Sequence, residues 1–302
     1  MDATREMFVQ IAQTHGIQGV DFSEPSSHFL NVSGVRFHYL DWDGKGRPLF
    51  FVHGGGQTAY TWDLVACQLR ERFHCIGMDC RSHGLSDKVD RWLGYAEQGD
   101  DIRGVVGELG LKDFVLVGMS MGGLASLAYA ARNPESLRAL AMVDITPTIN
   151  VARRAEGAAQ FMGAVPFETF ADALDWGVKN NPGRPRLHME YSLRHSLEQR
   201  PDGKWTWKNE RRNRMRAESP EDREKRMAGT ELLWHDPPKV PCPALVLHGE
   251  LSNVTSRADA ERLAKLFPKG RVVTVMGATH TVQGDQPKAL ARELTRFVES
   301  LL

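Results

Sequence analysis

The part of this sequence best suited to covalent chemistry is Gly118-Met119-Ser120-Met121-Gly122. It follows the apolar run Phe114-Val115-Leu116-Val117 and leads into a small, apolar, helix-forming stretch, Gly123 to Ala131. A strand that turns abruptly into a helix forces its middle residue into a strained conformation, and glycines two before and two after remove side chains that would collide. Ser120 then projects from the strand end as a candidate nucleophile. The amide of Met121 falls at a helix N-terminus, where first-turn N–H groups lack intrahelical acceptors and suit a developing negative charge. The same pattern also serves as a plain turn, so its meaning depends on what else reaches the same place.

Two other segments are candidates to do so. The strand Leu49-Phe50-Phe51-Val52 ends in His53-Gly54-Gly55-Gly56, a bend with little side-chain bulk. Gly55 is placed to lend a second amide, and Gly56 to border the pocket beside it. Two N–H groups from separate loops beside a serine form an oxyanion hole, and losing one donor costs on the order of 100- to 1000-fold in rate. His53 reads as an architectural hydrogen-bonding residue. The base is sought where Gly277-Ala278-Thr279-His280 follows the run Arg271 to Val275. Loops at the carboxyl ends of strands are where ligands gather in open α/β sheets. His280 is therefore the candidate general base, 160 residues after the serine. Of the other histidines, His83, His188, His195, His235 and His248 read as structural or surface residues.

The elements that must position these groups show in the hydrophobic pattern. His28 to Val32 and Val35 to Asp41, joined at Ser33-Gly34, suggest a hairpin, followed by a run from Pro48 to His53. Phe73 to Met78, Phe114 to Gly118, Ala139 to Asp144, Ala244 to His248 and Arg271 to Val275 are short, mainly apolar runs separated by helical segments. That alternation describes a parallel sheet covered on both faces, an α/β fold. The clearest helices are Tyr95 to Leu109, Met121 to Arg132, Ser256 to Phe267 and Gln286 to Leu302. Between Pro147 and Pro237 about ninety residues lack a convincing buried strand, too long for a structureless loop. They hold four of the seven tryptophans and eight arginines between Arg184 and Arg216. The expected organisation is an N-terminal arm over 1–27, a core over 28–146 and 237–302, and an inserted helical cap over 147–236. The arm has two destinations, the body of its own chain or a second subunit in a homodimer.

Composition excludes several classes of function. A chain of 302 residues, 41% hydrophobic, is long enough to bury roughly three quarters of its unfolded surface. Thirty-eight basic against thirty-eight acidic residues leave no net charge, so no global field draws nucleic acid or an anionic membrane. Four cysteines without a CxxC pair or zinc spacing argue against a disulfide framework or a structural metal, and fit a reducing compartment. Met1 to Gly16 has no long apolar run, and no window reaches the ~20 apolar residues of a membrane span. The expected location is cytoplasmic.

Taken in order, His53-Gly54-Gly55-Gly56, Asp79-Cys80-Arg81-Ser82-His83-Gly84-Leu85-Ser86, Gly118 to Gly122, and Gly277 to His280 with Gly284-Asp285-Gln286-Pro287 resemble the α/β-hydrolase superfamily. The resemblance covers nearly the whole chain. It implies a mostly parallel eight-stranded sheet flanked by helices, with an inserted cap. It also implies a serine that attacks an acyl carbon, a histidine that takes and returns the proton, and an acid that supports the histidine. Asp79 and Arg81 read as structural, and nothing places Cys80 beside a base.

Such proteins most often carry the acid a few residues beyond the strand after the cap. Here that loop reads Gly249-Glu250-Leu251-Ser252-Asn253-Val254, with Ser252 or Asn253 where an aspartate is expected and Glu250 too close to the strand end. Asn253 would fix the histidine tautomer without stabilising an imidazolium. Other members carry the acid one strand earlier, and Asp144, in Met142-Val143-Asp144-Ile145-Thr146-Pro147, fills that place. Its context resembles hydrolases that include an acetamidomethylene-succinate-cleaving family. The expected triad is Ser120, Asp144 and His280, with the Ser252-Asn253 loop as the rival support.

The implied activity is cofactor-free and metal-free hydrolysis of an ester, lactone, thioester or activated amide of modest size. Met162, Trp176, Met189 and Trp205 are candidate pocket lining, and cap arginines facing the cavity would favour a carboxylated substrate. C–C bond hydrolysis, cofactor-free oxygen chemistry and a slow-turnover receptor are the rival functions. A haloalkane dehalogenase is disfavoured because that chemistry requires an aspartate where Ser120 stands.

Overall fold

Strands that bury side chains on both faces need helices on both sides, and that requirement organises this chain. The computed structural model describes residues 3–89, 91, 93–148, 166–181, 183–208 and 220–301. Its strands are β1 (Ser26–Val32), β2 (Val35–Asp41), β3 (Pro48–Val52), β4 (His74–Met78), β5 (Phe114–Met119), β6 (Leu137–Val143), β7 (Leu197–Gln199), β8 (Trp205–Trp207), β9 (Ala244–Gly249) and β10 (Gly270–Val275). Eight form one sheet in the order β1-β2-β4-β3-β5-β6-β9-β10. The β1–β2 hairpin and the β2–β4 pair are antiparallel, and every later neighbour is parallel.

The described helices are α1 (Ala3–Thr14), α2 (Asp63–Leu69), α3 (Tyr95–Glu108), α4 (Met121–Arg132), α5 (Phe170–Asn180), α6 (Arg186–Ser196), α7 (Pro220–Leu232), α8 (Arg257–Leu266), α9 (Val282–Asp285) and α10 (Pro287–Glu299). The alternation along β3 sends Phe50 and Val52 to one face of the sheet, with Ile102, Leu124 and Leu263 from the helices. It sends Leu49 and Phe51 to the other, with Trp62, Val65, Leu290 and Leu294. β5 and β9 are buried along their whole length, and their continuous apolar runs follow from being covered on both faces. No helix among the described residues is long and apolar enough to cross a membrane. All four cysteines are free and buried.

Between β6 and β9 the described elements are α5, α6, α7, the two-stranded β7–β8 hairpin and two short 3-10 turns, Leu233–His235 and Pro237–Lys239. The hairpin is a departure from the sequence pattern, which showed no strand in this stretch; each strand has only three residues, too short for a periodic signal. Phe167, Leu174, Met189, Leu193 and Trp207 form a separate apolar cluster there, with Trp176 and Trp205 packed on it.

The N-terminal helix α1 had no counterpart in the sequence reading. Its Phe8, Ile11 and Ala12, spaced for one helix face, pack with Ile17, with Leu64 and Cys67 of α2, and with Tyr191 of α6. A buried polar joint lies alongside. The Tyr191 hydroxyl donates to Asp63, and the Trp42 indole donates to the same carboxylate at 2.5 Å. Burial raises the Asp63 carboxyl above its ordinary range, with these two donors opposing it. The arm thus packs on its own chain, bridging the sheet layer and the inserted segment.

His188 of α6 faces His15 edge-on, with ring centres 5.5 Å apart, and its Nδ1 is buried without a hydrogen-bond partner. Burial, then the charges of Arg184 and His15, lower its pKa from 6.5 to about 2. The folded chain keeps this ring neutral, while the unfolded chain protonates it below 6.5. The stability it contributes is therefore present above that value and lost as pH falls through it, by about 1.4 kcal/mol per pH unit. Urea midpoints measured from pH 7 to pH 4 should fall less steeply for His188→Leu than for the wild type.

Candidate active site

The turn after β5 puts Ser120 at φ 50° and ψ −120°, a strained conformation for a residue with a Cβ. Backbone bonds hold it there. The Ser120 amide donates to Val143 O at 3.1 Å, and its carbonyl accepts from Gly123 and Leu124 at 2.9 and 3.1 Å. The flanking glycines are required by contact. A Cβ on Gly122 would lie 2.5 Å from the carbonyl oxygens of both Val52 and His53, and one on Gly118 would lie 2.5 Å from Gly122 O.

Ser120 Oγ lies 3.0 Å from His280 Nε2, and His280 Nδ1 lies 2.7 Å from Asp144 Oδ2. A carboxylate only accepts, so Nδ1 carries the proton and Nε2 keeps its lone pair for the serine hydroxyl. Asp144 is fully buried at the end of β6, with φ 49°. Its amide donates to Leu247 O at 2.7 Å, its Oδ1 accepts from the Gly249 amide at 2.9 Å, and its Oδ2 also accepts from the Ser252 hydroxyl at 2.5 Å.

The loop bearing His280 is fastened to the loop after β9. Glu250 and Leu251 amides donate to Val275 O and Ala278 O at 3.0 and 2.8 Å, and the Gly277 amide donates to the Glu250 carboxylate at 2.8 Å. Asp285 accepts from the Thr279 amide at 3.0 Å and from its hydroxyl, and Arg184 of the inserted segment donates to Asp285 at 3.0 Å. Glu250 thus serves the histidine's loop and not the histidine. Asn253 is exposed, and its side chain has no described bond to His280. Of the two supports the sequence left open, Asp144 contacts the imidazole, and Ser252 reaches it through Asp144.

Gly55 stands across from Met121, where a Cβ added to it would lie 3.9 Å from the Met121 Cβ. The Gly56 amide donates to His83 Nε2 at 3.1 Å. His53 uses both ring nitrogens, Nδ1 toward Gly54 O at 2.7 Å and Nε2 accepting from the Cys80 amide at 3.0 Å. Burial lowers its pKa, with Asp79 opposing. Asp79 ties three segments together by accepting from Ala59, Leu85 and His38 at 2.7, 2.9 and 2.7 Å. Arg81 pairs with Asp101, whose carboxyl burial pushes up to about 6 against that pairing. Burial also raises the Cys80 thiol, with the Asp79 and Asp101 charges adding to it, which keeps it protonated.

The described cap residues among the pocket candidates pack on one another. Met189 is buried in the inserted segment's own cluster, Trp176 packs against Phe167 and Trp207 at ring distances of 5.9 and 5.8 Å, and Trp205 packs edge-on against Phe170 at 5.2 Å. These side chains build that segment's core because a small helical unit must bury its own largest groups. Met162 lies outside the described residues. Arg184, Arg186, Arg194 and Arg200 are each paired with an acidic side chain of this chain, and the remaining four lie outside the described residues. A cavity of about 80 Å³ lies between α1, residues 57–61 and α6, walled in part by Phe8, Tyr60, Arg184 and His195. Gln57 and Gly284 also border it, whereas Ser120 and His280 do not.

Sheet order, strained turn and hydrogen-bonded side chains define a class. The chain belongs to the alpha/beta hydrolase family, whose model matches residues 49–293. Esterase Rv0045c of Mycobacterium tuberculosis is 29% identical over 301 residues, covering 97% of this chain and 94% of its own length. The 2-(acetamidomethylene)succinate hydrolase of Mesorhizobium japonicum is 26% identical over 286 residues, covering 91% of this chain and 97% of its own. A crystal structure of Rv0045c matches with a TM-score of 0.78 at 26% identity over 99% of this chain and 98% of that one. One of E-2-(acetamidomethylene)succinate hydrolase matches with a TM-score of 0.79 at 24% identity, over 91% and 99%. The protein is a hydrolase of this family.

Gly122→Ala should lower stability by about 1–3 kcal/mol, because backbone carbonyls occupy the space a methyl would need. Turnover should fall with it. Gly107→Ala, on α3 where nothing lies within 4 Å, should leave turnover intact and raise stability by up to about 1 kcal/mol. Denaturant midpoints and hydrolysis rates on the two variants check both outcomes.

Proposed function

We propose that this hydrolase cleaves an ester, lactone, thioester or activated amide of small to medium size through an acyl-enzyme, with Ser120 as nucleophile, His280 as base and Asp144 as the supporting acid. The observation that carries the reading is the continuous set of contacts from Ser120 Oγ to His280 Nε2 at 3.0 Å and from His280 Nδ1 to Asp144 at 2.7 Å. Ser120 Oγ bonds to the acyl carbon as its proton passes to His280, and the Met121 and Gly55 amides stabilise the oxyanion. Collapse expels the alcohol, thiol or amine, which takes the proton from His280. Water, deprotonated by the same nitrogen, attacks the acyl-enzyme, releases the acid and restores the serine. These groups suffice for the reaction without a cofactor.

Full-length similarity to an esterase favours ester substrates. Similarity to a hydrolase acting on an acetamidomethylene-succinate keeps an activated amide in the same class of reaction. The acidic partners of Arg184, Arg186, Arg194 and Arg200 give a carboxylated substrate no particular support. In this reading the segment between β6 and β9 acts as a cap over the site.

A panel of p-nitrophenyl esters tests the assignment. Turnover should be lost in Ser120→Ala, and a fluorophosphonate should label Ser120. Asp144→Ala should lower kcat by roughly 10⁴-fold, while Asn253→Ala leaves it unchanged. Tight ligand binding without turnover would favour a receptor, and a larger defect in Asn253→Ala than in Asp144→Ala would move the acid's role to the other loop.

A further inference from the structure

We infer that Ser252 is a positioning residue for the triad acid, orienting the Asp144 carboxylate toward His280; this rests on the triad reading above. A serine hydroxyl has one proton to donate and two lone pairs to accept with. At Ser252 all three are committed. Its Oγ accepts from the Val254 and Thr255 amides at 3.1 and 3.2 Å, which leaves the proton one direction, toward Asp144 Oδ2 at 2.5 Å. The loop after β9 therefore presents an aimed donor in place of a rotating hydroxyl.

The oxygen it reaches is the one that accepts from His280 Nδ1. Asp144 Oδ1 is occupied separately by the Gly249 amide. The carboxylate is thus fixed about its last torsion by one donor on each side, with Oδ2 facing the imidazole. Without Ser252, the only donor left on Oδ2 is His280 itself, so the carboxylate, held from outside the pair by the Gly249 amide on Oδ1 alone, turns together with the imidazole it is meant to orient. His280 then loses the alignment that keeps its Nε2 lone pair on Ser120 Oγ. The Ser252 side chain is held in the loop position where the resemblance to other hydrolases expects the acid itself. With the acid one strand earlier, the residue at that position supports the acid instead of the histidine.

The test is kinetic and uses the full chain with a p-nitrophenyl ester. Removing a hydrogen bond to a charged group predicts that Ser252→Ala loses about 10- to 100-fold in kcat, with KM within about twofold. Ser252→Thr keeps the hydroxyl and should recover most of that loss. In an Asp144→Ala background, adding Ser252→Ala should cost less than about twofold, because Ser252 acts through a carboxylate no longer present. A purely structural role would lower both backgrounds equally, and that result, or wild-type kcat in Ser252→Ala, overturns the inference. Thermal midpoints accompany each variant. If the alanine variant does not fold, Ser252→Cys, with a weaker donor, carries the same comparison. Wild-type turnover in Asp144→Ala would remove the triad reading and this inference together. Collapse of Asp144→Ala alongside an unaffected Ser252→Ala would remove only this inference.

Discussion

A carboxylate withdrawn from water must find donors for its lone pairs, or the cost of burying it exceeds what the surrounding packing supplies. Asp144, with no exposed surface, meets that demand with a backbone amide, a hydroxyl and an imidazole N–H, drawn from β9 and from the loops after β9 and β10. Its only ion-pair partner among the described residues is His280. The need to satisfy one anion thus brings three segments of the chain to one rim of the sheet. A parallel sheet makes that convergence accessible, since all its crossover loops of one sense leave from the same edge.

Two strained residues stand side by side at that rim. Ser120 and Asp144 both have φ near 50°, a region that costs a side-chain-bearing residue about 1–3 kcal/mol. Each is held by the strand beside it: Ser120 by Val143 at the end of β6, and Asp144 by Leu247 on β9. Close backbone approach at Gly118 and Gly122 then leaves the α4 N-terminus against the β3 carbonyls. The strain persists because neighbouring strands fix both ends of each turn.

The segment between β6 and β9 is more than an appendage. Arg184 reaches Asp285, and Asp285 holds Thr279, the residue before His280. Tyr191 reaches the buried Asp63 at the start of α2, and α1 fills the apolar space between them. The histidine's loop is therefore fastened both to the sheet and to the inserted helices. Asp285 was legible as part of a motif, but its partner Arg184 lies 101 residues away and no local pattern connects them.

What the amino-acid order determined by itself was local. Apolar runs such as Phe114 to Gly118 and Ala244 to His248 had to be covered strands, and Gly118-Met119-Ser120-Met121-Gly122 had to turn sharply, because side-chain periodicity and Cβ collisions act over a few residues. Ser120 and His280 were candidates because each sits in such a local frame at a strand end, whereas Asp144 was a candidate only through the family resemblance, with the Ser252-Asn253 loop as its rival. Tertiary structure decided everything that depends on distant segments meeting. It decided that Asp144, not Asn253, touches the imidazole, and that Ser252 meets Asp144. It also placed Met189, Trp176 and Trp205 in their own cluster and set α1 against Tyr191. Those outcomes follow from burial and hydrogen-bond satisfaction, which are properties of the packed whole that no short stretch of residues contains.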